Sequence, residues 1–332
     1  MKTKVERIAF FALKDGQTAE FFAALSRRDL REAKNGKPYY ALEFRDSKRT
    51  IKANLWNNSP LFDVCDREWK PGMHLLLHAR HDPQWNQLTV LEARPASEED
   101  RMFGYDPADF EATTRFDVEA LFSELLDFAK KIGDEALRKL VLAILWKHES
   151  EIKAHPAAIK NHHAFKGGYL EHVVSVTRTG EYLANKYAEY YSELSPPLNK
   201  DLILAGCILH DVGKVYELEV REEGTAYTVP GTLIGHVLIG RDMVREAAGA
   251  IESLSPELLM LLEHVIIAHH GQQIFDSPKV PMIPEAMLVH YADEMDAKMN
   301  MYVAAVTEEG LEGPFTNWNR ALDRKLLRER TV

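Results

Sequence analysis

Six residues, His172, His210, Asp211, His236, His269 and Asp293, are of the types that bind metal ions. They fall in the segments GGYLEH (167–172), LHDVGK (209–214), GTLIGH (231–236), AHHG (268–271) and HYADEMDA (290–297). Imidazole and carboxylate together suit Zn, Mn, Fe, Co or Ni, and an adjacent His-Asp pair lets one residue cap an ion while the next bridges to a second. A single histidine in such a chain is most simply a satisfied, half-buried side chain. Several at spacings that one helical architecture can bring together are not, so the pattern predicts that these residues converge, with His270 as an alternative or additional ligand.

The elements that must position them are helices. From Phe116 onward, Val118, Leu121, Phe122, Leu125, Leu126 and Ala129 mark one apolar helical face, and further helices are expected near 134–148, 170–191, 199–212, 233–249, 255–270 and 284–305. Within this region VYELEVREEGTAYTVPG (215–231) has two short alternating runs around Glu-Glu-Gly and predicts an inserted β-hairpin. The N-terminal part reads differently. YYALEFRD (39–46), TIKANLW (50–56), MHLLLHARHD (73–82) and QLTVLEARP (87–95) alternate with period two and are separated by turn residues, which predicts a small β-barrel. Between them, acids and prolines without periodicity read as a linker. The expected organisation is a barrel over 1–95, a linker over 96–115 and a helical domain over 116–332.

At 332 residues and 45% apolar content the chain can bury more than one core. It has no apolar run of the length that spans a membrane, and its start has too short an apolar stretch for a signal peptide, so a cytoplasmic protein is expected. Cys65 and Cys207 lie far apart without a C-x-x-C pattern and read as core residues. The net charge of −10 hides an asymmetry: residues 1–95 carry 17 Lys+Arg against 12 Asp+Glu, whereas residues 96–332 carry 24 against 39. A basic module beside an acidic one fits a small domain that grips phosphates and a larger one rich in metal-binding carboxylates.

The order His…His-Asp…His…His…Asp on successive helices resembles the HD-domain superfamily of metal-dependent phosphohydrolases. The barrel, with its GKPYYALEFRD, KANLWN and PGMHLLLHAR runs, is similar to the OB-fold, and the combination resembles the YhaM-type 3′→5′ exoribonucleases. HHAFKGGYLEH, LHDVGK, HHGQQIFDSPKVPMIPEA and HYADEMDAKMN carry the resemblance. It implies an OB barrel followed by an all-α HD domain, with His172, His210, Asp211 and Asp293 holding one ion. His236, His269 and His270 would hold a second, with Asp211 as the bridge. Two divalent ions are implied, Mn²⁺ foremost, with Co²⁺, Fe²⁺, Ni²⁺ or Zn²⁺ also suited.

By the same resemblance Asp211 and Lys214 are catalytic, Lys214 reaching a phosphate oxygen. His162, His163, Lys166, Gly167 and Gly168 would lie near the scissile group. On the barrel, aromatic and basic residues such as Tyr40, Arg45 and Trp56 would bind single-stranded RNA, and single-stranded DNA besides. Glu171 and Glu263 read either as partners that orient ligand imidazoles or as surface acids, and His148, His155, His264 and His290 as structural. The loop departs from the family pattern at Asp276, and Gly-Gln-Gln after His270 is unlike the cyclic-dinucleotide phosphodiesterases. The expected activity is 3′→5′ hydrolysis of single-stranded RNA. Its rivals are a phosphohydrolase of free nucleotides, a non-catalytic nucleic-acid-binding protein and an iron-dependent oxygenase.

Overall fold

Five strands close into a barrel: β1 (Thr18–Glu32), β2 (Pro38–Arg45), β3 (Thr50–Trp56), β4 (His74–Asp82) and β5 (Gln87–Pro95), in the order β1-β2-β3-β5-β4 with β1 returning to β4. All pairs are antiparallel except β3 with β5, where Lys52 and Ala53 face Gln87 and Leu88. The computed structural model describes residues 7–33, 35–47, 49–110, 113–159, 163–221, 224–271, 278–307 and 313–328. Two compact units divide between residues 112 and 113. Along β2, buried Tyr40, Leu42 and Phe44 alternate with part-exposed Tyr39, Glu43 and Arg45. On β3, Ile51, Ala53 and Leu55 alternate in the same way with Lys52, Asn54 and Trp56. Helix α1 (Phe62–Glu68) adds Cys65 to this core, and Trp69 follows it with its ring edge on Phe44.

Four of these strands match the alternating runs of the sequence. The first strand, β1, does not announce itself, because Phe21 to Leu25 are buried without alternation. Phe21, Ala23 and Leu25 point into the barrel, while Phe22 and Ala24 join Leu76 and Phe110 in a second cluster outside it. A strand covered on both faces loses the period-two signal. A bulge between Leu25 and Arg27 then lets the strand turn from β4 to β2.

The covering comes from the segment expected to be a linker. Two short 3-10 helices, Glu98–Phe103 and Pro107–Phe110, pack on the barrel wall. Asp100 pins them: it is buried, accepts two bonds from Arg94 at 2.7 and 2.6 Å, and accepts from Ser97 N and Oγ at 2.8 and 3.0 Å.

The second unit is helical: α2 (Val118–Lys130), α3 (Glu135–Lys147), α4 (Glu149–Ala154), α5 (Gly168–Tyr190), α6 (Lys200–Leu209), α7 (Lys214–Glu217), α8 (Val229–Ile234), α9 (His236–Ala248), α10 (Pro256–Ala268) and α11 (Pro284–Thr307). Strands β6 (Leu218–Arg221) and β7 (Gly224–Tyr227) form the inserted hairpin. Asp117, Asp134, Asn199 and Ser255 cap α2, α3, α6 and α10 by accepting from the amide three residues on. Residues 202 to 209 of α6 are all buried, so this helix is the axis of the core, packed by α5, α10 and α11. No helix among the described residues is long and apolar enough to cross a membrane.

The Arg94 guanidinium, with the Ser97 donors and against the opposing effect of burial, holds the Asp100 carboxyl below the usual carboxylate range. Its stabilising contribution is therefore present above about pH 4 and fades as the pH falls toward the lowered value. Asp100→Ala is expected to lower the unfolding free energy of the barrel unit by about 1–2 kcal/mol at neutral pH. Denaturant titrations near pH 7 and pH 3 should show the gap between variant and parent closing on acidification.

Candidate metal centre

Local chemistry at the ends of helices sets the positions of the histidines. Helix α6 stops at Leu209, so His210 and Asp211 sit in the turn that follows it. Gly213 lies so close to the start of α9 that a Cβ there would fall 2.0 Å from His236 O. That contact, available only to glycine, brings His236 to Asp211. His269 caps the C-terminal end of α10, and its carbonyl accepts from His290 Nδ1 on α11 at 2.7 Å. His172 lies in the second turn of α5, and Asp293 and Asp296, three apart on α11, face it together.

Two sets of ligand atoms result, joined by Asp211. On one side, His172 Nε2 lies 3.3 Å from His210 Nε2, 3.2 Å from Asp293 Oδ1 and 3.6 Å from Asp211 Oδ2. On the other, Asp211 Oδ1 lies 3.3 Å from His236 Nε2 and 3.5 Å from His269 Nε2, and His270 completes the group. Ligands bound at about 2.0–2.2 Å to one cation stand on the order of 3–3.5 Å apart, so both sets fit an ion. A sharper sign is that Asp211 Oδ1, His236 Nε2 and His269 Nε2 are buried without hydrogen-bond partners among the described residues. Buried polar atoms normally find partners, and three orphans facing one another fit a cation between them.

The other ring nitrogen is fixed in four of these histidines. His172 Nδ1 meets Asp296 Oδ2 at 2.7 Å, His210 Nδ1 the Cys207 carbonyl at 2.9 Å, His236 Nδ1 Glu217 Oε1 at 2.9 Å, and His269 Nδ1 the Ile266 carbonyl at 2.6 Å. With Nδ1–H donated to an acceptor, each Nε2 is left as a lone pair directed at the centre. Asp296 is held in turn by Ser175 Oγ and by His163 Nε2 at 3.0 Å.

Burial opposes charge on all these groups. For Asp211, Lys214 and His210 overcome it and keep the carboxyl well below its usual range. Asp293 is likewise held down against burial by His172 and His210. Burial would lower His172, but Asp293 and Asp296 outweigh it and push that imidazole up to about 9. A cation between His172, Asp211 and Asp293 competes with this proton. His269 is pushed down by burial, and His270 by burial and then by the imidazoles of His269 and His236, so both present neutral nitrogens.

The structure thus brings together His172, His210, Asp211, His236, His269, His270 and Asp293. Lys214 is buried at Asp211, its Nζ 2.6 Å from Oδ2, which is a closer tie to the carboxylate than the phosphate contact expected of it. His163, expected near substrate, faces Asp296 instead, and Lys166 is exposed. Gly167 has φ +75°, and a Cβ on Gly168 would lie 2.1 Å from His163 O, so packing alone demands both glycines. His162 and Asp276 lie outside the described residues. Glu171 accepts from Thr114 and Glu263 pairs with Arg245, so neither orients a ligand imidazole.

Sequence reasoning missed Asp296, Glu217 and Ser175. For Asp296 the signal was available in the D-x-x-D spacing on one helix face; for Glu217 and Ser175 there was none.

On the barrel, Tyr40 corrects an expectation. It is buried in the core with its hydroxyl on Asp66, so it cannot stack on a base. Its neighbour Tyr39 can: it is part-exposed and its ring lies 4.8 Å from that of Trp56, which is 41% exposed. Arg45 is half-buried on the same outer face.

The family model described as the HD domain matches residues 169–298. The 3′-5′ exoribonuclease YhaM of Bacillus subtilis (strain 168) is 34% identical over 297 residues, covering 88% of each chain. A solved domain of replication protein A from Methanococcus maripaludis matches 27% of this chain and 96% of its own length, at 15% identity and a TM-score of 0.24.

Because Asp296 fixes the His172 ring without touching the centre through its own oxygens, Asp296→Asn should weaken divalent-ion binding by roughly 10- to 100-fold with the helical fold retained. Isothermal titration with Mn²⁺, alongside far-UV circular dichroism, checks both parts.

Proposed function

We propose, given that the chain belongs to the HD-domain, YhaM-type 3′→5′ exoribonucleases, that it removes nucleotides one at a time from the 3′ end of single-stranded RNA, with single-stranded DNA as a further substrate. As a member of that family it is a divalent-metal-dependent phosphodiester hydrolase. The observation that carries the assignment to these residues is the trio of orphaned atoms on Asp211, His236 and His269, with His172, His210 and Asp293 on the other oxygen of Asp211. His172, His210, Asp211 and Asp293 would hold one ion, and Asp211, His236, His269 and His270 the other. Imidazole and carboxylate donors suit Mn²⁺ as the working ion, with Co²⁺, Fe²⁺, Ni²⁺ or Zn²⁺ as substitutes.

Ions held there by His172, His210, Asp211, His236, His269, His270 and Asp293 would supply Lewis acidity toward water and the scissile phosphate. The protein's own part is preparation. Lys214 keeps Asp211 ionised and would add a fixed positive charge beside the reacting phosphate, and the Nδ1 anchors hold the imidazoles of His172, His210, His236 and His269 in the tautomer that offers Nε2. On the barrel, the Tyr39–Trp56 ring pair with Lys52 and Arg45 on the same outer face supplies stacking and phosphate contacts for a single strand. The reading places the enzyme in the cytoplasm, where RNA is turned over.

Incubated with 5′-labelled single-stranded RNA and Mn²⁺, the chain should yield a ladder of progressively shorter labelled products. Asp211→Asn should reduce that rate on the order of a thousandfold. Intact RNA under every divalent ion, with hydrolysis of free nucleotides instead, would sink the exoribonuclease reading. Trp56→Ala should weaken oligonucleotide binding by about 1–3 kcal/mol, read by fluorescence anisotropy, while leaving the hydrolysis of a dinucleotide unchanged.

A further inference from the structure

Many cations of the helical unit are matched: Lys130, Lys131, Lys139, Lys153, Arg178 and Arg245 each face a carboxylate at 2.6–2.8 Å. Residues 313–328 carry four Lys/Arg against a single Asp, with Glu312 and Glu329 flanking them in the sequence. Arg320, Arg324 and Lys325 are exposed, and none has a carboxylate partner among the described residues. Beside them Trp318 is 58% and Phe315 53% exposed.

This segment is built rather than loose. Its two arms are bridged at Phe315–Leu327 and Asn319–Arg324, Thr316 and Leu326 are buried, and Thr316 N donates to Leu326 O at 2.8 Å while Leu326 N donates to Thr316 Oγ1 at 3.0 Å. The hairpin is moored to the last turns of α11, through Tyr302 Oη on Leu327 O at 3.1 Å and Arg328 Nε on Val306 O at 3.2 Å. The same helix holds Asp293. Nine residues separate Asp293 from Tyr302, about 14 Å along the axis at about 1.5 Å per residue, which an extended strand covers in a few nucleotides.

We propose that the hairpin of residues 315–325 is a second contact for single-stranded nucleic acid, in which Arg320, Arg324 and Lys325 bind phosphates and Trp318 stacks on a base a few nucleotides from the metal centre. The inference rests on the reading that this centre cleaves such strands. Unmatched cations next to an exposed indole are the combination that grips a strand without reading its sequence. In an acidic unit, local cations are also what lets a polyanion approach at all.

The test uses the full chain. In an Asp211→Asn background, which binds without cutting, anisotropy of a labelled RNA of about 20 nucleotides gives Kd across a salt series. Replacing Arg320, Arg324 and Lys325 together by Ala should raise Kd roughly tenfold and flatten the slope of log K against log salt by about 2, since each single-strand phosphate contact contributes about 0.7. Trp318→Ala should raise Kd about fivefold or more with the slope unchanged, because stacking releases no counterions. With Asp211 restored, both variants should hydrolyse a dinucleotide, too short to reach the hairpin, at the parent rate. Unchanged Kd and slope in the triple variant would overturn the proposal. So would an altered elution volume on size exclusion with unchanged Kd, which would assign the patch to a protein contact. Should the unmodified chain bind the oligomer through these residues yet cut no RNA, the hydrolase reading alone would fall.

Discussion

A carboxylate removed from water is the constraint around which the helical unit is arranged. Asp211 is 2% exposed and sits at the end of the most buried helix of the core. Taking an ion of that size out of water costs several kcal/mol even after relaxation, and it is tolerated only where counter-charges are fixed around it. Here Lys214 is supplied by the next turn of the same segment, His172 by α5, His236 by α9, His269 and His270 by α10, and Asp293 offsets part of the positive charge from α11. The three helices most closely packed on α6, namely α5, α10 and α11, therefore deliver a charged or polar group as well as apolar area. The Coulombic demand of one side chain and the packing of the core select the same helix arrangement.

The same economy appears in the imidazoles. Four of them turn Nδ1 to an acceptor, but by two routes. His210 and His269 use a backbone carbonyl three residues earlier in their own helix, which exists wherever a histidine follows a helix end. His172, in the second turn of α5, and His236, the first residue of α9, do not sit at a helix C-terminal end with its free carbonyls, and each turns instead to a carboxylate from another element, Asp296 or Glu217. The position of a histidine within its helix thus decides whether its orientation is local or has to be supplied by tertiary structure.

That difference also explains what could be read before folding. The metal-binding types were legible because helix ends concentrate them in short segments of fixed spacing, and the carriers of His210 and His269 needed nothing further. Asp296 and Glu217 were not singled out, because an acid on an amphipathic helix looks the same in sequence whether it faces water or a histidine. In the barrel, β2 to β5 showed through alternation, whereas β1 was hidden by its cover of residues 98–110, a long-range fact invisible to any local pattern. Tyr40 was misjudged for a related reason: adjacent tyrosines on a strand point to opposite faces, and only the register decides that Tyr39 lies outside and Tyr40 within.

Charge placement sets the remaining limit on function. A metal centre needs carboxylates, and a unit rich in them repels the phosphate chain it would cut. At physiological ionic strength, however, exposed charges act over only about 8 Å, so the repulsion of the whole unit is screened and nearby groups decide where a strand can lie. Attraction then has to be supplied in patches, by cations left unmatched within a few ångströms of where phosphates pass. The barrel face around Lys52 and Arg45 and the hairpin around Arg320, Arg324 and Lys325 are such patches, while elsewhere on the helical unit most lysines and arginines are tied to acids. Leaving cations unpaired at a few places lets an acidic enzyme hold a polyanion without weakening the carboxylates that hold its metals.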